Sequence, residues 1–216
     1  MEADFWHARW EKNQIGFHQS GINTHLQDFW SSLQLAGQER VFVPLCGKSS
    51  DMLWLRAQGH EVLGIELSAI AVRDFFAENQ LEPTVTQQGK FERWEHDGIV
   101  ILLGDFFDLT ADDLSACGAV FDRASLIALP PEMRPAYAQH FQQIVPQSCK
   151  TLLVTIEYEQ SIAGGPPFSV TEPEVRGYYE ANYTVSLLRS IDASDDLPGL
   201  IKKGVPSVEE KAFLLR

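Results

Sequence analysis

Apolar and polar positions change period repeatedly along the chain, and each change marks a boundary between helix and strand. Between residues 22 and 35, Ile22, Leu26, Phe29, Trp30 and Leu33 recur at spacings of three and four, which puts them on one face of a helix. Residues 4–13 read as an earlier helix. Residues 40–44 are an apolar run of strand length, closed by Pro44. Ser49 or Ser50 is suited to cap the helix that follows, and Gly59 to end it. Residues 61–66 give a second strand. Ser68 then opens a helix through Asn79, with Ile70, Val72, Phe75 and Phe76 as its packing face.

Beyond residue 84 the rhythm breaks. Asp97-Gly98 lies between two strand-like runs, a strong hairpin signal. Ile99–Leu103 is therefore read as the third parallel strand, with its hairpin partner inserted before it. Residues 117–122 and 151–158 give the fourth and fifth strands, separated by a helix from Pro130-Pro131 to Val145. After a Gly/Pro loop at 163–174 come a short helix at 174–182 and strands at 184–191 and 211–216. Only a polar Asp/Pro/Gly loop joins those last two strands, so they should pair antiparallel. Alternating strands and helices imply an α/β fold, a twisted, mostly parallel sheet with helices on both faces. Seven strands with one antiparallel edge strand is a Rossmann-like methyltransferase arrangement rather than a dehydrogenase one. Neither a repeat nor a linker is visible, so residues 1–216 are expected to form one domain.

Composition narrows the function more than the fold. The chain has 216 residues and a formal net charge of −13, with no basic run longer than Lys202-Lys203. That charge repels phosphate backbones and anionic lipid, so neither nucleic acid nor a membrane is an expected partner. No stretch of 18 apolar residues occurs, and the first twenty residues lack the basic start and apolar run of a secretory leader. Three widely spaced cysteines, Cys46, Cys117 and Cys149, argue against a disulfide framework and for a reducing cytoplasm. The six histidines show neither HExxH nor paired spacing with cysteine, so no metal is expected.

Candidate chemistry gathers where the first strand ends. In an open α/β sheet, ligands bind beyond the C-terminal ends of the strands. Pro44, Leu45, Cys46 and Gly47 occupy such an end, and Gly47 allows close backbone approach. Glu66 follows Gly47 by 19 residues, at the end of the next strand, where a carboxylate can accept hydrogen bonds from ribose hydroxyls. A dinucleotide pyrophosphate wants several exposed amides on a glycine-rich turn, whereas this turn has one glycine and a proline. The sequence "GKSS" at 47–50 is not a phosphate loop, because Phe42 stands where the motif needs its first glycine. An adenosine ligand without pyrophosphate fits better: S-adenosylmethionine. Cys46, just before a helix, could in principle be an activated thiol, but no histidine is near in sequence. The G-x-S-x-G turn of a serine hydrolase is missing.

Three segments carry a specific resemblance: "FWHARWEKNQIGFHQ" at 5–19, "VPLCGKSSDMLWLRAQGHEVLGIELS" at 43–68 and "FDRASLIALPP" at 121–131. Together they closely resemble the thiopurine S-methyltransferase family in its bacterial form, over nearly the whole chain. The resemblance implies a cytoplasmic, monomeric, S-adenosylmethionine-dependent methyltransferase whose N-terminal segment, residues 1–36, caps the cofactor. By that resemblance Trp10 contacts the cofactor, Leu45 lies on the turn beside it, next to Gly47 where the backbone can approach, and Glu66 holds its ribose. Asp105 and Phe106 flank the adenine, Arg123 meets the methionine end, and Phe17 stands beside the acceptor. The implied acceptor is a small thiol, thiopurine or other aromatic or heterocyclic, with selenium and tellurium compounds and tellurite resistance as further associations. A NAD-dependent oxidoreductase and a non-catalytic binding protein of the same fold are the alternatives that a cofactor titration and a turnover assay separate.

Overall fold

The structure, a computed structural model, describes residues 3–15, 19 and 21–216. Its first elements are helical: α1 (Ala3–Glu11), then α2 (Thr24–Phe29), which tightens into a 3-10 turn at Trp30–Leu33. The side chain of Asn23 caps α2 by accepting from the Leu26 amide at 3.2 Å. Strands β1 (Arg40–Val43) and β2 (Val62–Glu66) follow, with α3 (Asp51–Ala57) between them. Ser68 caps α4 (Ala69–Glu78), its hydroxyl accepting from the Ala71 amide. The next three strands, β3 (Thr84–Gln88), β4 (Phe91–His96) and β5 (Ile99–Leu103), form an antiparallel meander. Asp97 and Gly98, at φ 43 and 77, make the turn between β4 and β5.

The short helix α5 (Ala111–Leu114) leads to β6 (Cys117–Arg123), and α6 (Ser125–Ala128) and α7 (Arg134–Ile144) lead to β7 (Lys150–Glu157). The remaining elements are α8 (Glu172–Tyr179), β8 (Val185–Asp192), α9 (Pro198–Ile201) and β9 (Glu209–Leu215).

All nine strands form one sheet in the order β3-β4-β5-β2-β1-β6-β7-β9-β8. Period-two alternation divides the apolar side chains between its faces. Phe42, Ile65, Val120 and Leu153 pack on one side against Tyr137, Phe141 and Ile144 of α7 and Val175 and Tyr179 of α8. Val41, Val43, Ile101 and Val154 pack on the other against Leu26 of α2, Met52 and Leu55 of α3, and Val72, Phe75 and Phe76 of α4.

Two details of the expected sheet need correction. The sheet has nine strands rather than seven, because the β3–β4 hairpin extends it beyond β5. β3 is polar and mostly exposed, so it offers no apolar alternation to detect. The antiparallel strand at the other end is not the edge itself. β9 inserts antiparallel between β7 and β8, which leaves β8 at the edge. Within the segment expected as a cap, residues 1–36, Leu26 and Leu33 are fully buried in the core, whereas Trp6, Arg9 and Trp10 of α1 and Gln19 line the cleft.

Candidate functional site

The winding direction reverses between β1 and β6, and the C-terminal ends of β1, β2, β5 and β6 open there into a cleft of about 730 Å³. After β1 the chain makes a tight turn in which Leu45 and Gly47 both take left-handed backbone conformations, φ 47 and 53. For leucine that geometry is strained, and it is held by its surroundings. The Cys46 amide donates to the Ile65 carbonyl at 3.0 Å, and the Ser125 hydroxyl donates to the Pro44 carbonyl at 3.2 Å. The turn is thereby tied to β2 and to the start of α6.

Glu66, at the end of β2, is a buried carboxylate of the cleft. One carboxylate oxygen accepts from the Gly47 amide and the other from the Ser68 amide, each at 2.8 Å. Burial pushes its pKa above the usual carboxylate range, against the pull of those amide bonds. Each oxygen keeps lone-pair capacity for a further donor, as vicinal ribose hydroxyls would supply. Trp10 of α1 is buried over the turn, its ring 3.6 Å from where a Cβ on Gly47 would stand. At the end of β5, Asp105 caps the following turn by accepting from the Phe107 amide at 2.9 Å. Phe106 stacks on Tyr137 at 4.7 Å between ring centroids.

Six of the expected residues thus come together: Trp10, Leu45, Gly47, Glu66, Asp105 and Phe106 all line the cleft. Arg123 stands one layer behind it. Its guanidinium pairs with buried Asp51 at 2.8 Å and donates to the Gln19 side chain at 2.7 Å and the Ser49 hydroxyl at 3.2 Å. Among these, Gln19 lines the cleft. Phe17 and His18 lie outside the described residues. Cys46 is buried away from the cleft, and burial followed by the Glu66 charge raises its thiol pKa well above the ordinary value. A thiol held neutral in this way is a packing group. Gly64 makes room for it, since a Cβ there would lie 2.7 Å from its sulfur.

Several lining residues carried no readable signal. Phe107, 40% exposed, offers a freer aromatic face than Phe106. Tyr137 reaches the cleft from α7, donating its hydroxyl to Asp122 at 2.8 Å. The wall toward β7 is largely apolar: Ile127, Leu129, Ile156, Pro166, Pro167 and Leu200. Its 196–203 segment comes from the loop between β8 and β9, where a polar Asp/Pro/Gly sequence says nothing about a ligand. No group of three or more His, Cys, Asp or Glu suited to a metal occurs among the described residues.

A family model described as thiopurine S-methyltransferase matches residues 1–216. A thiopurine S-methyltransferase of Pseudomonas entomophila is 51% identical over 215 residues, spanning 100% of this chain and 99% of that one. Another, from Pseudomonas fluorescens, is 48% identical over 216 residues, with the same shares. Among solved structures, the 1,6-didemethyltoxoflavin-N1-methyltransferase of Burkholderia thailandensis, with its substrate and S-adenosylhomocysteine bound, superposes with a TM-score of 0.64. It covers 99% of this chain and 86% of that one at 13% identity, a likeness of fold.

Proposed function

Because the chain belongs to the thiopurine S-methyltransferase family, we propose that its cleft presents S-adenosylmethionine to the sulfur of a thiopurine or related aromatic thiol. Methyl donation from S-adenosylmethionine is the activity of the family. The acceptor's identity and the residue roles are the proposal. The observation that carries it is Glu66, fixed between the Gly47 and Ser68 amides with its remaining acceptor capacity facing the cleft. Ribose hydroxyls would bond there. Adenine would extend toward Asp105 and Phe106 at the end of β5, and the methionine moiety would cross Leu45 and Gly47 under Trp10. Arg123 supports that end from behind, through Gln19.

The same turn disfavours a dinucleotide. The Cys46 and Gly47 amides are already engaged by Ile65 and Glu66, so few donors remain for a pyrophosphate. The apolar wall toward β7 suits a flat heterocycle. Sulfonium is already an activated leaving group, so the protein's main contribution is to hold donor and acceptor in line. An acceptor that arrives as thiolate needs no proton removed, and soft selenium or tellurium nucleophiles would attack the methyl carbon in the same geometry as the sulfonium C–S bond breaks. The three free, buried cysteines accord with work in a reducing cytoplasm. The test is a titration with S-adenosylhomocysteine and NAD, paired with methyl transfer from labelled S-adenosylmethionine to 6-mercaptopurine, thiophenols and selenium or tellurium oxyanions. Binding of NAD alone, or cofactor binding without transfer to any acceptor, would overturn the reading.

A further inference from the structure

We propose that Arg9, on α1, is the cation that holds the carboxylate of the cofactor's amino-acid moiety. The proposal rests on the reading that the cleft binds S-adenosylmethionine. Eight of the chain's ten arginines form ion pairs with Asp or Glu. The two exceptions among the described residues are Arg216, exposed at the last position, and Arg9. Arg9 lines the cleft, and its Nε is buried without a hydrogen-bond partner. Its guanidinium lies 4.8 Å from the centre of the Phe5 ring, which supplies some attraction but accepts no directed hydrogen bond from Nε.

A chain with thirty Asp and Glu residues does not leave such a cation unpaired for want of carboxylates. A buried guanidinium donor without an acceptor is costly, and an anionic ligand removes that cost. Position identifies the anion. Arg9 adjoins Trp10, whose ring covers Gly47, so it stands at the β1 end of the cleft, across Glu66 from the adenine end at β5. A nucleoside oriented by Glu66 with its base toward β5 directs its 5′ substituent to that end. Arg123, the other arginine nearby, already has Asp51 as its counter-ion. The remaining cleft cation free of an ion pair among the described residues is Lys203, which lies with Leu197 and Leu200 on the β7 side. A planar guanidinium can grip a carboxylate through two parallel bonds. Because Arg9 sits on α1, that grip would also draw the helix onto the bound cofactor.

The experiment compares S-adenosylhomocysteine with 5′-methylthioadenosine, which keeps adenine, ribose and sulfur but lacks the amino-acid group. Calorimetric affinities are measured for wild type, Arg9→Gln, Arg9→Lys and Arg123→Gln. Arg9→Gln should weaken S-adenosylhomocysteine about 10- to 100-fold and leave methylthioadenosine within twofold of wild type. Arg9→Lys should recover part of the loss. Arg123→Gln, which loosens Gln19 behind the methionine end, should weaken S-adenosylhomocysteine less than Arg9→Gln does. Equal losses of both nucleosides in Arg9→Gln would make Arg9 a structural part of the helix and overturn the proposal. So would unchanged S-adenosylhomocysteine affinity, as an arginine aimed at an anionic acceptor would give. Failure of wild type to bind S-adenosylhomocysteine would instead bring down the cofactor reading itself.

Discussion

Replacing Glu66 with Gln probes the cleft at the point where fold and chemistry meet. In the wild type both carboxylate oxygens accept backbone amides at 2.8 Å. In Glu66→Gln one oxygen becomes an NH₂ group facing the amide of Gly47 or Ser68, so a donor opposes a donor and one lone-pair set for the ribose disappears. A hydrogen bond to a charged acceptor contributes about 1.5–3 kcal/mol, so S-adenosylhomocysteine should bind about 10- to 100-fold more weakly. Thermal stability should respond much less. The raised pKa shows that ionised Glu66 is costly to bury, and a neutral amide removes that cost while leaving one backbone N–H unsatisfied. These opposing effects, each about 1–3 kcal/mol, should leave the midpoint within a few degrees of wild type. The pH dependence gives a second signature. Wild-type affinity should fall as acidification through the raised pKa protonates the carboxylate, whereas the variant should lack that fall. Calorimetry showing Glu66→Gln within twofold of wild type, or retaining the wild-type acid dependence, would refute the ribose assignment.

Asp122 should set a pH dependence of stability. Burial raises its pKa from 3.8 to about 6 against the opposing Tyr137 hydrogen bond. The folded state therefore holds this proton more tightly than the unfolded chain, and the associated stability, present below about pH 4, is lost as pH rises through about 6. That loss is on the order of 3 kcal/mol, and urea unfolding between pH 4 and 7 should show it diminished in Asp122→Asn; an unchanged slope would exclude Asp122 as its source. Cys46→Ala should retain turnover, since the thiol is buried outside the cleft, and a loss of more than tenfold in kcat would restore a chemical role. Gly64→Ala should destabilise the protein by about 1–3 kcal/mol through overpacking, and adding Cys46→Ala should recover part of it in the same melt. Among thiols of similar shape, the pH at half-maximal single-turnover rate should track the acceptor's own pKa; a midpoint fixed across the series would demonstrate a protein base.

The half of the cleft proposed to bind the donor was partly legible because it is built where local sequence rules are strictest. Leu45, Gly47 and Glu66 lie at the ends of adjacent buried strands, whose apolar runs locate them directly, whereas Asp105 and Phe106, after another such strand, were singled out only by the family resemblance. The half that would face the acceptor was not legible, because its residues are neighbours only in space. Ile127, Pro166 and Leu200 come from three separated segments brought together across the end of β7. Strand β3 escaped for a related reason: an exposed edge strand has no burial to impose a period on it.

Arg123 shows what residue-by-residue inference from a motif leaves out, namely the partners within the chain. The sequence offers Arg123 at a strand end beside the cleft, and its side chain could reach a ligand. What sequence cannot show is which acid has already claimed it. Asp51 opens α3, 72 positions away, and its position is fixed by the Asn23 amide at 2.8 Å and the Ser49 hydroxyl at 2.9 Å as well as by Arg123. The pairing is thus part of how the start of α3 is anchored to β6 and to the segment before α2. A guanidinium so engaged shapes the cleft wall and carries little uncompensated charge into it. The cleft arginine without an ion pair is instead Arg9 on α1, which stands three residues after Trp6 and shares its face of the helix. The role proposed for it comes from the pattern of ion pairs: among the described residues only Arg9 and the exposed Arg216 have no Asp or Glu counter-ion.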